Sequence, residues 1–123
     1  MANPLLGEVT VELGGKPYTL VYDVNGACVA EDAMGGVSTN EMMDRFTGNR
    51  LGMLGFRAII FGAMQRHHAG SSPSLEATGR LLAELPLSKI QQLVFQVLRA
   101  SLGAAEEGDG GDAATGEGAA PTG

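Results

Sequence analysis

The first part of the chain alternates apolar and polar residues and then reverses at a glycine pair. Residues 8–13 read EVTVEL, Gly14-Gly15 follows, and residues 16–22 continue as KPYTLVY. Alternation with a period of two is typical of a strand with one buried face, and glycines accept the positive φ angles of a tight hairpin turn. The pattern therefore predicts a β-hairpin over residues 8–22.

A two-residue turn sets the register of this hairpin, because it pairs Leu13 with Lys16. The large apolar side chains then share one face: Val9, Val11, Leu13, Tyr18, Leu20 and Tyr22. A shift of one residue would split this set between two faces. A two-stranded hairpin alone is only marginally stable in water, so its apolar face must be covered in one of two ways. Either helices cover the apolar face, or the hairpin self-associates through Val9, Val11, Tyr18 and Leu20.

The periodicity then changes from two to that of helices. Gly35-Gly36 ends the first helical segment, Ser38 with Glu41 forms a capping box, and Ser72-Pro73 reads as a cap followed by a first-turn proline. Ser88 with Gln91 forms a second capping box before an apolar stripe. These signals predict helices over about 24–34, 39–47, 51–67, 73–85 and 88–102.

The helix predicted at residues 51–67 is apolar around most of its circumference, which indicates a central, buried position. It also carries small residues along one stripe: Gly52, Gly55, Ala58 and Gly62. Glycine lowers helix stability by roughly 1 kcal/mol relative to alanine. Close approach of another backbone along this stripe is the expected compensation.

These elements predict an α+β fold, with an N-terminal β-hairpin followed by four to five helices in one predominantly helical domain over residues 1–103. Residues 104–123 contain no Val, Ile, Leu or aromatic residue and carry five acidic residues without a basic one. Such a composition cannot repay the entropy of ordering, so we expect a disordered acidic C-terminal tail.

The acidic tail accounts for most of the net charge of −6. Without it, the remaining part has nine acidic and eight basic residues, and the basic ones are scattered. A nucleic-acid surface needs clustered Lys and Arg, so nucleic-acid binding is not expected. A single cysteine, the lack of a signal peptide pattern and the lack of a long apolar run favour a cytoplasmic protein that does not span a membrane.

The sequence offers few candidates for chemistry. His67-His68 is the most obvious pair, but adjacent helical residues point about 100° apart and cannot chelate one ion from regular geometry. We interpret the pair as a surface helix terminus, with a metal or enzymatic role as the alternative. Cys28 lies on an apolar helical face, so we expect it in the core. No catalytic, cofactor or metal residues are assigned, and the protein is not expected to be an enzyme.

Methionine is the one feature that points to a partner. The chain has six methionines in 123 residues. Methionine is flexible and polarizable, so it either fills irregular gaps in a core or lines a groove that binds helices of other proteins. For the second interpretation, the candidate partner-binding residues are Met42, Met43, Phe46, Met53 and Phe56.

Several of these features occur together in a known family. The relevant residues are Asn3-Pro4, Gly7-Glu8-Val9, Gly14-Gly15, Tyr18-Thr19-Leu20, Asn25, Cys28, Gly35 and the later Arg50-Leu51, Arg57-Ala58 and Arg66-His67-His68. In this order and over roughly residues 2–85, the chain resembles the small family of gene transfer agent and phage tail proteins encoded beside the tail tube gene. The family pattern has Glu-Glu or Leu-Glu-Glu in the first helix, and this chain departs from it with Ala30-Glu31-Asp32.

Members of this family are labelled both tail tube proteins and tail assembly chaperones. A tube wall needs many strands, and this sequence predicts one hairpin. The resemblance therefore implies a chaperone that binds the helical tape measure protein and is absent from the mature particle. The tail tube protein is a second candidate partner. The alternative is a structural tail subunit, in the tube or at a joint, that stays in the particle.

Overall fold

The computed structural model describes residues 7–109 of the chain, with side chains described as far as Leu102. Two strands form one antiparallel sheet, and helices follow them in chain order. The elements are β1 (Glu8–Leu13), β2 (Lys16–Val21), α1 (Val24–Ala33), α2 (Thr39–Thr47), α3 (Met53–Ala63), α4 (Leu75–Leu82) and α5 (Leu87–Asp109). This confirms the predicted α+β class and the order of its elements.

The hairpin has the predicted register. Leu13 pairs with Lys16, and Glu12 pairs with Pro17. Gly14 and Gly15 have φ angles of 60° and 80°, the left-handed conformations that a two-residue turn of this type requires. The alternation and the turn chemistry therefore select the same pairing, and the two signals reinforce each other.

Helices cover the apolar face of the hairpin. Tyr18 and Leu20 are buried in the core, and Val9 and Val11 pack against it. Both strands contact α5, and β2 also contacts α3. Of the two predicted arrangements, burial by helices is therefore the one that this face adopts.

The outer edge of β2 has few free hydrogen-bond donors. Pro17 has no N–H, and the N–H of Thr19 donates to Nε2 of His68 at 3.0 Å. The ring of His68 also lies edge-on to Tyr18, with 5.1 Å between the centroids.

The closest helix contact joins α1 to α3 at two glycines. A Cβ atom added to Gly26 would lie 2.6 Å from the carbonyl oxygen of Gly62, and one added to Gly62 would clash with the carbonyl oxygen of Gly26. Neither position accepts a side chain without movement of a backbone. The predicted close approach is confirmed at Gly62, whereas a Cβ at Gly52 would meet nothing within 4 Å.

The α3 helix is the centre of the core, as predicted from its apolar circumference. Ile59, Ile60, Ala63 and Met64 at its C-terminal end are fully buried. It contacts α1, α4, α5 and β2. One cluster of buried residues includes side chains from the hairpin and from each of the helices in residues 7–102, so these elements form one domain. Cys28 of α1, which was expected in the core, is instead exposed.

Several predicted helix boundaries differ from those in the structure. The α3 helix ends at Ala63 and not at residue 67, because the side-chain amide of Gln65 donates to the carbonyl oxygen of Phe61 at 2.9 Å and so replaces a helical backbone donor. The α4 helix begins at Leu75 and not at residue 73. Ser74 caps it by accepting a hydrogen bond from the N–H of Ala77, whereas Ser72 contacts Gln65.

The α5 helix is longer than predicted at both ends. It begins at Leu87, so Ser88 lies in its first turn and is not the cap. It continues to Asp109, through residues 104–109 of the predicted tail. Alanine and glutamate favour helices, and extending a formed helix costs far less than starting one, which accounts for the extension. The rest of the predicted disordered tail lies outside the described residues.

Within the part of the chain that the structure describes, none of the helices has the length and apolar character needed to cross a membrane.

The glycine contact makes a direct prediction for stability. Gly62→Ala should lower the free energy of unfolding by about 1–3 kcal/mol, because the added methyl group forces α1 and α3 apart. Urea denaturation followed by circular dichroism measures this change. Gly52→Ser is the matched control on the same helix, and it should keep or slightly raise stability because serine is a good N-cap residue. Equal stability of Gly62→Ala and the wild type would contradict the packing.

Candidate functional site

A groove with exposed apolar residues runs between α3 and α4. It encloses about 450 Å³, and its apolar lining consists of Met53, Leu54, Phe56, Leu82, Ala83 and Ile90. Met53 and Leu54 are 57% and 66% exposed, although both are large and apolar. We call this feature the α3–α4 groove. Contiguous exposed apolar surface of this kind marks sites that bind proteins or ligands.

Three charged residues also line the α3–α4 groove: Arg57, Glu76 and Arg80. The half-buried Arg57 is the most unusual of them. Among the side chains in residues 7–102, its Nε is the buried polar atom that has no hydrogen-bond partner. A buried donor without an acceptor is unfavourable, and most such groups in proteins are satisfied. The groove is therefore lined by an arginine whose hydrogen-bonding capacity is not used within the described residues.

A second groove, of about 400 Å³, lies near the start of α1 and is lined by Val24, Met43 and Tyr22, among others. Val24 is 78% exposed. The Tyr22 hydroxyl shares a hydrogen bond of 3.0 Å with Thr39. Burial raises the pKa of Tyr22 above its ordinary value, with a smaller contribution from the Glu31 carboxylate, so this hydroxyl stays protonated at neutral pH.

A third apolar surface is formed by two aromatic rings. Phe46 of α2 and Phe95 of α5 stack with 6.5 Å between their centroids, and Phe95 is 49% exposed. Phe46 also meets the buried ring of Phe56 edge-on at 6.4 Å. This pair links the exposed surface of α5 to the core beneath it.

The structure separates the five residues that were predicted to bind a partner. Met42 is fully buried and Phe56 is 5% exposed, so both belong mainly to the core. Met53 is exposed in the α3–α4 groove, Met43 lines the groove near α1, and Phe46 is one ring of the aromatic pair with Phe95. The five residues therefore do not form one surface.

Both histidines contact the hairpin. His67 lies 3.1 Å from the carboxylate of Glu8, and His68 accepts from Thr19. They follow the C-terminus of α3 in turns, close to the predicted helix terminus. Across the described residues, no group of three or more side chains has the composition and spacing to hold a metal ion.

Sequence reasoning missed three residues of these surfaces. Leu54 and Phe95 were missed because an apolar residue in a helix is assumed to face the core. Phe95 does lie off the stripe of Ile90, Leu93, Val94, Val97 and Leu98, and this offset was a usable signal. Arg57 was counted only as one of several scattered basic residues.

Comparison of the chain with protein-family models, with curated proteins and with solved structures finds no match.

The division between core and groove predicts a large loss of stability for one methionine substitution and almost none for another. Met42→Ala should lower the free energy of unfolding by about 2–5 kcal/mol, because it leaves a cavity in the core. Met53→Ala removes the same side chain from an exposed position and should change it by less than about 0.5 kcal/mol. Chemical denaturation of both variants measures the difference, and similar losses of stability would show that the assignment of Met53 to the surface is wrong.

Proposed function

We propose that this protein is a tail assembly chaperone of a phage-like particle or gene transfer agent, and that it binds the tape measure protein while the tail is built. The observation that carries the proposal is the α3–α4 groove, with Met53 and Leu54 exposed on a mostly helical domain. The resemblance of residues 2–85 to gene transfer agent tail proteins supports the choice of partner.

The mode of binding follows from the shape and chemistry of the groove. An amphipathic helix binds by placing apolar side chains at i, i+3, i+4 and i+7 into a hydrophobic groove. Methionine suits such a site because it adapts to different side chains. The tape measure protein is long and helical, so a chaperone that coats it has to accept different stretches of helix, and adaptable binding suits that task.

The alternative is a structural tail subunit that stays in the particle. Its tube form requires a wall of many strands, whereas residues 7–109 contain one two-stranded sheet. A chaperone is needed only until the tube encloses the tape measure protein. We therefore propose that the protein acts in the cytoplasm of the bacterial host and leaves before the particle matures.

Co-expression tests the chaperone function. The tape measure protein should stay soluble when it is expressed with the wild-type chain and should precipitate when the chain carries Met53→Asp and Leu54→Asp, because the charges prevent apolar docking. Val24→Asp, which alters an exposed apolar residue outside the α3–α4 groove, is the control and should behave as the wild type. A tape measure protein that is equally soluble with and without this chain would contradict the proposal.

Mass spectrometry of purified particles separates the two functions. The chaperone hypothesis predicts that the chain is absent from the particles or far less abundant than the tube subunit. A constant stoichiometry with the tube subunit would instead identify a structural component.

A further inference from the structure

The unsatisfied Arg57 side chain indicates what the α3–α4 groove recognises. A guanidinium group carries five N–H donors and stays charged at all physiological pH values. Nε of Arg57 is buried without an acceptor, and Arg57 forms no ion pair within the described part of the chain. Nε itself is closed off from solvent, but Arg57 also lines the groove, so an acceptor there meets the accessible part of its guanidinium. Such an acceptor gains a charge-assisted hydrogen bond without having to break an existing ion pair.

The neighbouring helix holds the stem of Arg57. A Cβ atom added to Gly79 of α4 would lie 3.1 Å from Cδ of Arg57, so the stem packs closely against the α4 backbone. Glycine at position 79 thus makes room for the arginine stem between α3 and α4. The guanidinium is therefore held beside the groove, which lowers the entropy lost when it binds.

Charge complementarity identifies the chemical class of the missing acceptor. The α3–α4 groove contains two cationic residues, Arg57 and Arg80, and one acidic residue, Glu76. This excess of positive charge favours a carboxylate over a neutral acceptor or a cation. Arginine and carboxylate also match in geometry, since two parallel N–H groups can donate to the two oxygens.

The apolar lining of the α3–α4 groove sets a second requirement for its occupant. Phe56, Leu82 and Ile90 are buried at the groove, and Met53 and Leu54 are exposed beside them. An occupant must therefore present apolar side chains together with one acidic side chain. Residues three or four apart on a helix are neighbours on its surface, so an amphipathic helix satisfies both requirements.

We propose that the α3–α4 groove selects partner helices that carry a carboxylate next to their apolar stripe, and that Arg57 binds this carboxylate. The inference rests on the proposed function, since it specifies which tape measure segments the chaperone binds. The chain's own residues 110–123 are acidic but lack large apolar side chains, so they do not suit the apolar lining.

Selection from a peptide library tests the inference without the tape measure protein. The peptides are helical, with leucine fixed at i, i+3, i+4 and i+7 and with Glu, Lys, Gln and Ala randomised at the flanking positions. They are selected on the full-length chain, on Arg57→Met, and on Arg99→Met as the control that removes an exposed arginine of α5 outside the groove. Circular dichroism verifies that each variant is folded.

We expect glutamate to be enriched beside the leucines on the wild type and on Arg99→Met, but not on Arg57→Met. In titrations, replacing this glutamate by glutamine should weaken binding to the wild type by about tenfold, because a hydrogen bond to a charged group is lost. If Arg57→Met does not fold, the test rests on comparing the affinities of the glutamate and glutamine peptides for the wild-type chain.

Four outcomes would overturn the inference: no peptide is selected, glutamate is not enriched, glutamate is enriched equally on Arg57→Met, or the glutamine peptide binds the wild type as tightly. If removal of residues 110–123 raised the affinity for the glutamate peptide tenfold, the result would instead indicate that Arg57 binds the chain's own acidic segment. If the inference fails while the wild type still keeps the tape measure protein soluble, the proposed function stands. If solubilisation fails but the selection depends on Arg57, the groove serves another partner.

Discussion

The backbone contact between Gly26 and Gly62 is the constraint on which the rest of the structure depends. Each glycine lowers the intrinsic stability of its helix, and the close packing of α1 on α3 offsets this cost. The contact also orients α3. Met53 lies nine residues before Gly62, which at about 100° per residue places it on the opposite side of the helix. With α1 fixed on one side of α3, the other side is left for α4 and the groove.

The hairpin was predicted completely because its determinants are local. Alternation, the glycine pair and the position of Pro17 all select one register, and the structure has that register. Helix ends were predicted less well, since they depend on contacts that the periodicity does not encode. Gln65 ends α3 through a side-chain hydrogen bond, and Ser74 rather than Ser72 caps α4 because Ser72 contacts Gln65.

The candidate site could be predicted only in part. An abundance of methionine indicates adaptable apolar surface, but it does not say which methionines face outward. Met42 and Met53 look equivalent in the sequence and are buried and exposed, respectively. Because α3 is apolar around most of its circumference, its exposed side becomes visible only once α1, α4 and α5 are placed. The role of Arg57 likewise depends on Gly79, a residue of a different helix.

The hydrogen bond between Thr19 and His68 has a consequence for how copies of this protein can assemble. Of the outward-facing positions of β2, Pro17 offers no donor, and the donor of Thr19 is already used. A neighbouring strand can therefore add far more readily at β1, where Thr10 and Glu12 are exposed. When a sheet can be extended at only one of its two edges, two copies pair symmetrically through that edge. The pair then has no edge left for further copies, so a fibre does not form. His68 and Pro17 together therefore disfavour the pairing of β1 of one copy with β2 of the next, through which a fibre would have to grow.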